Sequence, residues 1–220
     1  MVNSGNPTNE EKMRRVGARL GEREGSSGLS FALNVIIALF CVLLVAEVVF
    51  NSFFMGIYVV NVSMQPGLNG AESTAVSGGD FVYVNKTAQP DYGDVVVVYR
   101  EVSHADGSRE RGNIIKRAVA FGGDTVEIVM GTLIVNGEIV DEPYVDPNRN
   151  DPVINNYSKH TVAENSMFLL GDNRNMSTDS RDYGDYPLSA LVGVVPQWSI
   201  DGKAFTTAVY TFFNFTLLGK

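Results

Sequence analysis

The chain has 220 residues, 45% hydrophobic and 19% charged, with a formal net charge of −8. That length holds one large domain or two small ones, and the apolar share supports a packed core. The acidic balance excludes a basic nucleic-acid footprint, and a single cysteine, Cys41, excludes an intramolecular disulfide.

Residues 1–29 read as a polar tail ending in the hinge-like "GSSG" at 25–28. The run Phe31 to Phe50, "FALNVIIALFCVLLVAEVVF", follows. As a helix it would rise about 30 Å, the thickness of a bilayer core. Its polar residues, Asn34 and Glu47, sit near its ends, where polarity costs less. The run is longer than the apolar centre of a cleavable leader, and no small-x-small site follows closely. We therefore read residues 30–52 as an uncleaved transmembrane anchor. Lys12, Arg14, Arg15, Arg19 and Arg23 precede it, and the next basic residue is Lys86. The positive-inside rule then places the N-terminus in the cytoplasm and everything beyond the single pass outside the cell membrane.

After Met55 the pattern changes to short runs rich in Val, Ile, Tyr and Phe, divided by Gly, Pro and Asp. Strands are expected at 57–62, 80–86, 94–100, 114–121, 125–130, 132–137, 167–171 and 191–200. Met130-Gly131 and Asn136-Gly137 read as hairpin turns. Residues 101–113 and 142–160 read as polar surface loops. No comparable helical periodicity appears outside the anchor. The expected fold is therefore mainly β: an N-terminal transmembrane helix followed by an extracytoplasmic all-β domain over 53–203, barrel-like or built from more than one sheet. Residues 204–220 are apolar but short for a span. They read as an interfacial segment or a membrane-facing strand.

Ser63 lies in "VVNVSMQPGL" (59–68), close behind the anchor. A serine nucleophile needs a group to take its proton. The two histidines, His104 and His160, fall in the polar loops, where a solvated role is expected. No HExxH or CxxC spacing is present, so no metal or other cofactor is expected. Lys116 is a better partner. It sits within the apolar run "NIIKRAVAF", and alternation puts Ile114, Lys116 and Ala118 on one face. Burial among apolar neighbours disfavours its charged form and frees it to accept a proton. A third segment, "LLGDNRNMSTDSRDYGDYP" (169–187), reads as an ordered polar loop, with Asp179 and Arg181 two apart.

Together these segments resemble the bacterial type I signal peptidases (leader peptidases), membrane-anchored serine–lysine peptidases. Ser63-Met64-Gln65-Pro66-Gly67-Leu68 resembles the family's S-M-x-P-T-L box, with Gly67 in place of Thr. "YGDVVVV" (92–98) resembles the strand before the lysine box. "KRAVAFGGD" (116–124) resembles K-R-x-x-x-x-P-G-D, with Gly122 in place of Pro. "GDNRNMSTDSR" (171–181) matches G-D-N-R-x-x-S-x-D-S-R at every specified position. The two glycine departures are expected to loosen turns without removing a reacting group.

The resemblance implies Ser63 as nucleophile and Lys116 as general base. It implies the Ser63 N–H and the Asn61 side chain as oxyanion donors, Ser177 as the group orienting Lys116, and Asp179 with Arg181 bracing the loop. Met64 is read as core. The implied substrates are exported precursor proteins bearing signal peptides, cut after small residues at the bilayer surface. Neither nucleic acid nor metal is an expected partner. Three alternatives compete: a self-cleaving repressor of the DNA-damage response, a non-catalytic tethered β domain, and a Ser–His hydrolase using His104 or His160. The anchor and the last motif oppose the first, the presence of both Ser63 and Lys116 opposes the second, and the placement of both histidines in polar loops opposes the third.

Overall fold

The computed structural model describes residues 7–70, 79–103 and 109–212. Two compact units are present, Met1–Ser52 and Phe53–Lys220.

The first unit is helical. Helix α1 spans Asn9–Phe53. The Glu11 N–H donates to Thr8 Oγ1 at 3.4 Å, and Glu10 and Glu11 complement the dipole of the first turn. The helical backbone continues through residues 25–28, where a hinge was expected. Gly and Ser lower helix propensity by about 1 kcal/mol or less each, but both keep the backbone N–H, so the ladder is not interrupted as proline would interrupt it. Within α1, Gly28–Phe53 is long and apolar enough to cross a membrane.

The second unit is mainly β. Its strands are β1 (Phe54–Tyr58), β2 (Phe81–Asn85), β3 (Val95–Ser103), β4 (Arg109–Phe121), β5 (Thr125–Val129), β6 (Thr132–Val135), β7 (Glu138–Ile139), β8 (Tyr157–Thr161), β9 (Ser166–Leu170), β10 (Tyr186–Pro187) and β11 (Leu191–Val195). Seven form one antiparallel sheet in the order β1-β2-β11-β3-β4-β9-β10, and four form a smaller one, β7-β6-β5-β8. One cluster of buried side chains (Val82, Val84, Val97, Ile115, Val195) includes Met64 and Leu68, each 1% exposed. Another joins the large sheet to the small one through Val119, Phe168 and Leu170 on one side and Val126, Ile128 and Leu133 on the other. Chain reversal into the small sheet occurs at Gly122-Gly123. A Cβ at Gly122 would stand 2.9 Å from Asn165 N and 3.0 Å from Ala163 O, so this glycine permits close packing rather than loosening the turn. Asn136 and Gly137 both take positive φ, 54° and 84°, as their hairpin turn requires.

Several expectations are corrected. Strand β1 ends at Tyr58, so 59–68 is a turn-rich segment and not the end of a strand. Most of the expected 101–113 loop is the far end of the β3–β4 hairpin, whose register continues to Ser103↔Arg109. Polar side chains do not prevent pairing where one strand already templates the next. Likewise β8 lies within the expected loop at 142–160, and pairs with β5. The run expected as a strand over 191–200 stops at Pro196, and 197–201 is a short helix, α3 (Gln197–Asp201).

The described part of the C-terminal segment is helical rather than a strand: residues 213–220 of that expectation lie outside the described residues, and α4 covers Lys203–Thr211. Its threonines explain why. Strand β2 meets β11 at only one position, Asn85, so most of that edge lacks a strand partner. There the Phe81 N–H donates to Thr207 Oγ1 at 2.7 Å, and Thr206 Oγ1 donates to the Phe81 carbonyl at 2.6 Å. The Tyr83 N–H donates to Ser199 Oγ of α3 at 2.7 Å. Hydroxyls thus satisfy a sheet edge that would otherwise present open backbone groups. Tyr210 stacks on Phe81, ring centroids 4.3 Å apart.

Candidate active site

Ser63 is carried by the turn after β1. The Val59 N–H donates to Asp80 O at 2.8 Å, and the Leu68 N–H to Met64 O at 2.8 Å, while the Met64 and Leu68 side chains anchor the turn in the core. Asn61 adopts φ 69°, a left-handed conformation that Asn tolerates better than most residues. A Cβ at Gly70 would lie 1.7 Å from Asn61 O, so this loop closes only over a glycine. Three further contacts hold the turn. Asn173 donates from its backbone to Ser63 O at 3.0 Å and from Nδ2 to Val62 O at 3.1 Å. Arg149 Nη1 donates to Gln65 Oε1 at 2.8 Å, and Lys203 Nζ donates to the Gly67 carbonyl.

Lys116 sits in mid-β4 opposite Val96 of β3, and Ile114 opposite Val98. As alternation requires, Ile114 and Ala118 pack in one cluster with Val96 and Val98. Lys116 is 5% exposed and Ser63 9%. Lys116 Nζ lies 2.8 Å from Ser63 Oγ and 3.1 Å from Ile115 O. Loss of hydration on burial pushes the amine down to about 8. Asp179 and Asp172 oppose that shift, while Arg100 and Arg181 add to it.

The last motif folds around this pair. Gly171 follows β9, and a Cβ there would stand 2.2 Å from Ser177 Oγ and 2.5 Å from Ser63 O. Its bare backbone therefore lets the nucleophile turn and the Ser177 loop converge. Among the described residues no hydrogen bond joins Ser177 to Lys116; the Ser177 Oγ is buried beside Asp179, whose carboxyl it helps hold down. Asp179 caps the short helix α2 (Ser180–Tyr183) and accepts from the Gly171 N–H at 3.0 Å. Arg181 grips it with Nε to Oδ1 at 2.8 Å and Nη2 to Oδ2 at 2.9 Å. Burial alone would push the Asp179 carboxyl up, but the Arg181 pair outweighs it and holds it below the usual carboxylate range. Arg181 also donates to Asn155 Oδ1 and to the carbonyls of Arg174 and Ser177, so Asp179 and Arg181 tie several turns together.

Sequence reading missed the partners of the motif's first half. Asp172 makes a bidentate pair with Arg117, at 2.8 and 2.6 Å, and Tyr144 covers the guanidinium at 3.7 Å. Arg174 pairs with Glu142 at 2.9 and 2.5 Å. Burial leaves Asp172 raised despite Arg117. Glu142, Tyr144, Arg149 and Asn155 all lie in the segment expected as a surface loop. Its density of hydrogen-bonding residues was the available signal, but their partners are distant in sequence. Of the histidines, His104 lies outside the described residues. His160 is on β8, bonded to Asp185 at 2.9 Å, and does not line the Ser63 cavities.

Two cavities flank the Ser63–Lys116 pair. One, about 90 Å³, is largely apolar and lined by Ile57 to Val60, Val97 and Ile115. The other, about 460 Å³, is bordered by Arg100, Met176, Thr178 and Tyr183. Asn61 lines both.

The family model described as "Signal peptidase, peptidase S26" matches residues 32–209. The chain belongs to this family. It is accordingly a serine peptidase, and its relatives support removal of signal peptides as its activity. Signal peptidase I of Bacillus licheniformis is 28% identical, covering 84% of this chain and 89% of the relative. Signal peptidase I S of Bacillus subtilis is 32% identical, covering 70% and 78%. A solved signal peptidase I from Enterococcus faecalis V583 is 30% identical, covers 50% of this chain and 98% of its own, and has a TM-score of 0.38. Family membership and the apolar stretch of α1 together point to a membrane-anchored signal peptidase.

Proposed function

We propose that this signal peptidase is a membrane-bound endopeptidase that cleaves exported precursors after small residues by a Ser63–Lys116 dyad. The observation that carries the reading is the 2.8 Å separation of two buried groups, Lys116 Nζ and Ser63 Oγ, bordering open cavities. Ser63 Oγ attacks the scissile carbonyl as its proton passes to neutral Lys116. The tetrahedral intermediate expels the amine, which takes that proton, and leaves an ester on Ser63. A water then attacks the ester, giving a proton to Lys116. Collapse returns it to Ser63 and frees the acid.

The Ser63 N–H and the Asn61 amide are the proposed oxyanion donors, one such donor being worth about 3–4 kcal/mol of barrier. Asp179 and Arg181 brace the loop behind Lys116, and Ser177 packs there. The small apolar cavity suits the small residue before the bond. By the positive-inside pattern the N-terminus is cytoplasmic and the catalytic unit extracytoplasmic. Only about ten residues separate Ser63 from the apolar run, which suits substrates whose signal segments lie in the same bilayer; confinement raises their effective concentration.

The test is to incubate detergent-solubilised full-length protein with a labelled precursor and map the new N-terminus. Cleavage by wild type, and none by Ser63→Ala or Lys116→Ala, is expected. Retained cleavage in Lys116→Ala refutes the proposed base.

A further inference from the structure

Helix α4 does more than close the edge of β2. Lys203, its first residue, donates from Nζ to the Gly67 carbonyl, four residues beyond Ser63. The helix dipole disfavours a cation in the first turn, so helix stability does not account for a lysine there. The Asp80 carboxylate does not account for it either. Its Oδ2 stands 3.9 Å from Nζ, beyond hydrogen-bond range, and already accepts the Asn69 N–H at 2.7 Å. Both ends of the Lys203–Gly67 bond are held. Asp80 closes the base of the turn: its N–H donates to Asn69 O at 2.7 Å, and its carbonyl accepts the Val59 N–H at 2.8 Å. The next residue, Phe81, holds α4 through Thr206 and Thr207. Two consecutive residues thus set the turn and the helix against each other. Gly67 has no side chain with which to tie itself to either, and a Cβ there would stand 3.0 Å from Asp172 Oδ2. Its carbonyl is the group the amine takes.

We propose that Lys203 is a positioning residue for peptide cleavage: its amine, carried by α4, clamps the Gly67 carbonyl and so keeps Ser63 Oγ against Lys116 Nζ. This rests on the peptidase reading above. Ser63 and Gly67 share one short turn, in which the Leu68 N–H donates to Met64 O at 2.8 Å and both side chains are seated in the core. A shift of Gly67 therefore moves the backbone that carries the nucleophile, and a misplacement of about 1 Å costs up to about a hundredfold in rate. Asn173 holds the same turn at Val62 and Ser63, so the two clamps grip different carbonyls, one from the last motif and one from α4. Lys203 does not line either cavity beside Ser63, so its loss should spare substrate binding and act on the chemical step.

The experiment measures kcat and KM for a labelled precursor with full-length protein in detergent, alongside thermal unfolding. Lys203→Met keeps the stem and loses the donor. It should lower kcat about tenfold with KM within about a factor of two. The deficit should persist at temperatures well below the variant's unfolding midpoint, where a residue needed only for folding would show none. The midpoint of the pH profile should stay near 8, where Lys116 places it, because Lys203 carries no proton in the reaction. Lys203→Arg keeps a cationic donor and should come within about threefold of wild type. Should Lys203→Met fold poorly, Lys203→Gln, which keeps a neutral donor, should show the same split at about a threefold loss. An unchanged kcat, a loss confined to KM, a deficit that vanishes on cooling, a shifted pH midpoint or no recovery in Lys203→Arg overturns the proposal. Poor folding of all three variants does so too, since it makes Lys203 a folding residue. Wild type that cleaves no precursor would instead remove the peptidase reading beneath it.

Discussion

Asn173 donates its backbone N–H to the Ser63 carbonyl at 3.0 Å, and its side-chain amide to the adjoining Val62 carbonyl at 3.1 Å. The nucleophile's own backbone is thus held by the motif that also holds Asp179 and Arg181, 110 or more residues away in sequence. Asn173 is 1% exposed, so the side-chain bond has no water to replace it. Asn173→Ala is expected to lower kcat about tenfold with KM within a factor of two. Stability should fall by about 1–2 kcal/mol, read by thermal unfolding in detergent. An unchanged kcat would show that the turn holds its shape without this clamp.

The lowered Lys116 amine sets a pH dependence. Only its neutral form accepts the Ser63 proton, so kcat/KM should rise with pH through about 8 and then level. Lys116→Arg should be inactive at every pH, because arginine does not deprotonate in proteins. A wild-type profile flat between pH 6 and 9 argues against Lys116 as the base.

Lys116 should also cost stability. In the unfolded chain its amine titrates near 10.5, in the fold near 8. Below pH 8 both states carry the proton, and the fold bears the full penalty of a buried charge. Between those values the unfolded state binds more protons, so wild-type stability rises with pH by about 3 kcal/mol at 1.36 kcal/mol per pH unit. Lys116→Met is expected to be inactive yet more stable than wild type near neutral pH, by an amount that shrinks above pH 8 and vanishes above about 10.5. Equal stabilities of the two proteins at pH 7 would contradict this.

Gly171 is a position where one methyl group should suffice to block activity. Gly171→Ala brings a Cβ to 2.2 Å from Ser177 Oγ and 2.5 Å from Ser63 O, the latter a backbone atom that cannot swing away. A loss of about 1–3 kcal/mol of stability and no measurable cleavage is the expected result. Gly171→Ala paired with Ser177→Gly removes the first clash but not the second, so activity should stay absent while part of the stability returns.

For Asn61 two substitutions separate backbone from side chain. Alanine at φ 69° is strained, whereas glycine is not, and both lack the amide. Asn61→Ala and Asn61→Gly should each lower kcat by about a hundredfold with little change in KM. Full activity in Asn61→Gly would exclude the side chain as an oxyanion donor.

Local sequence alone determined the elements whose cause is local. The apolar run needs only its length and composition to imply a membrane-length helix. Strands β2, β3, β5 and β6 follow from β-branched runs bounded by turn residues. The pairing of Ser63 with Lys116 was legible because the motifs name both residues, and the face of Lys116 follows from alternation. Tertiary structure decided the rest, because distant partners determine it. Strand β8 exists because β5 offers it an edge, and α4 is a helix whose threonines close the open edge of β2. Ser177 reaches the site because Gly171 has no side chain to hold its loop away from the Ser63 turn. The brace of Arg117, Asp172, Glu142 and Arg174 is written in the sequence only as separate charges. Which charge meets which depends on how strands many residues apart come into register, and burial then leaves each ion only the partner the fold has placed beside it.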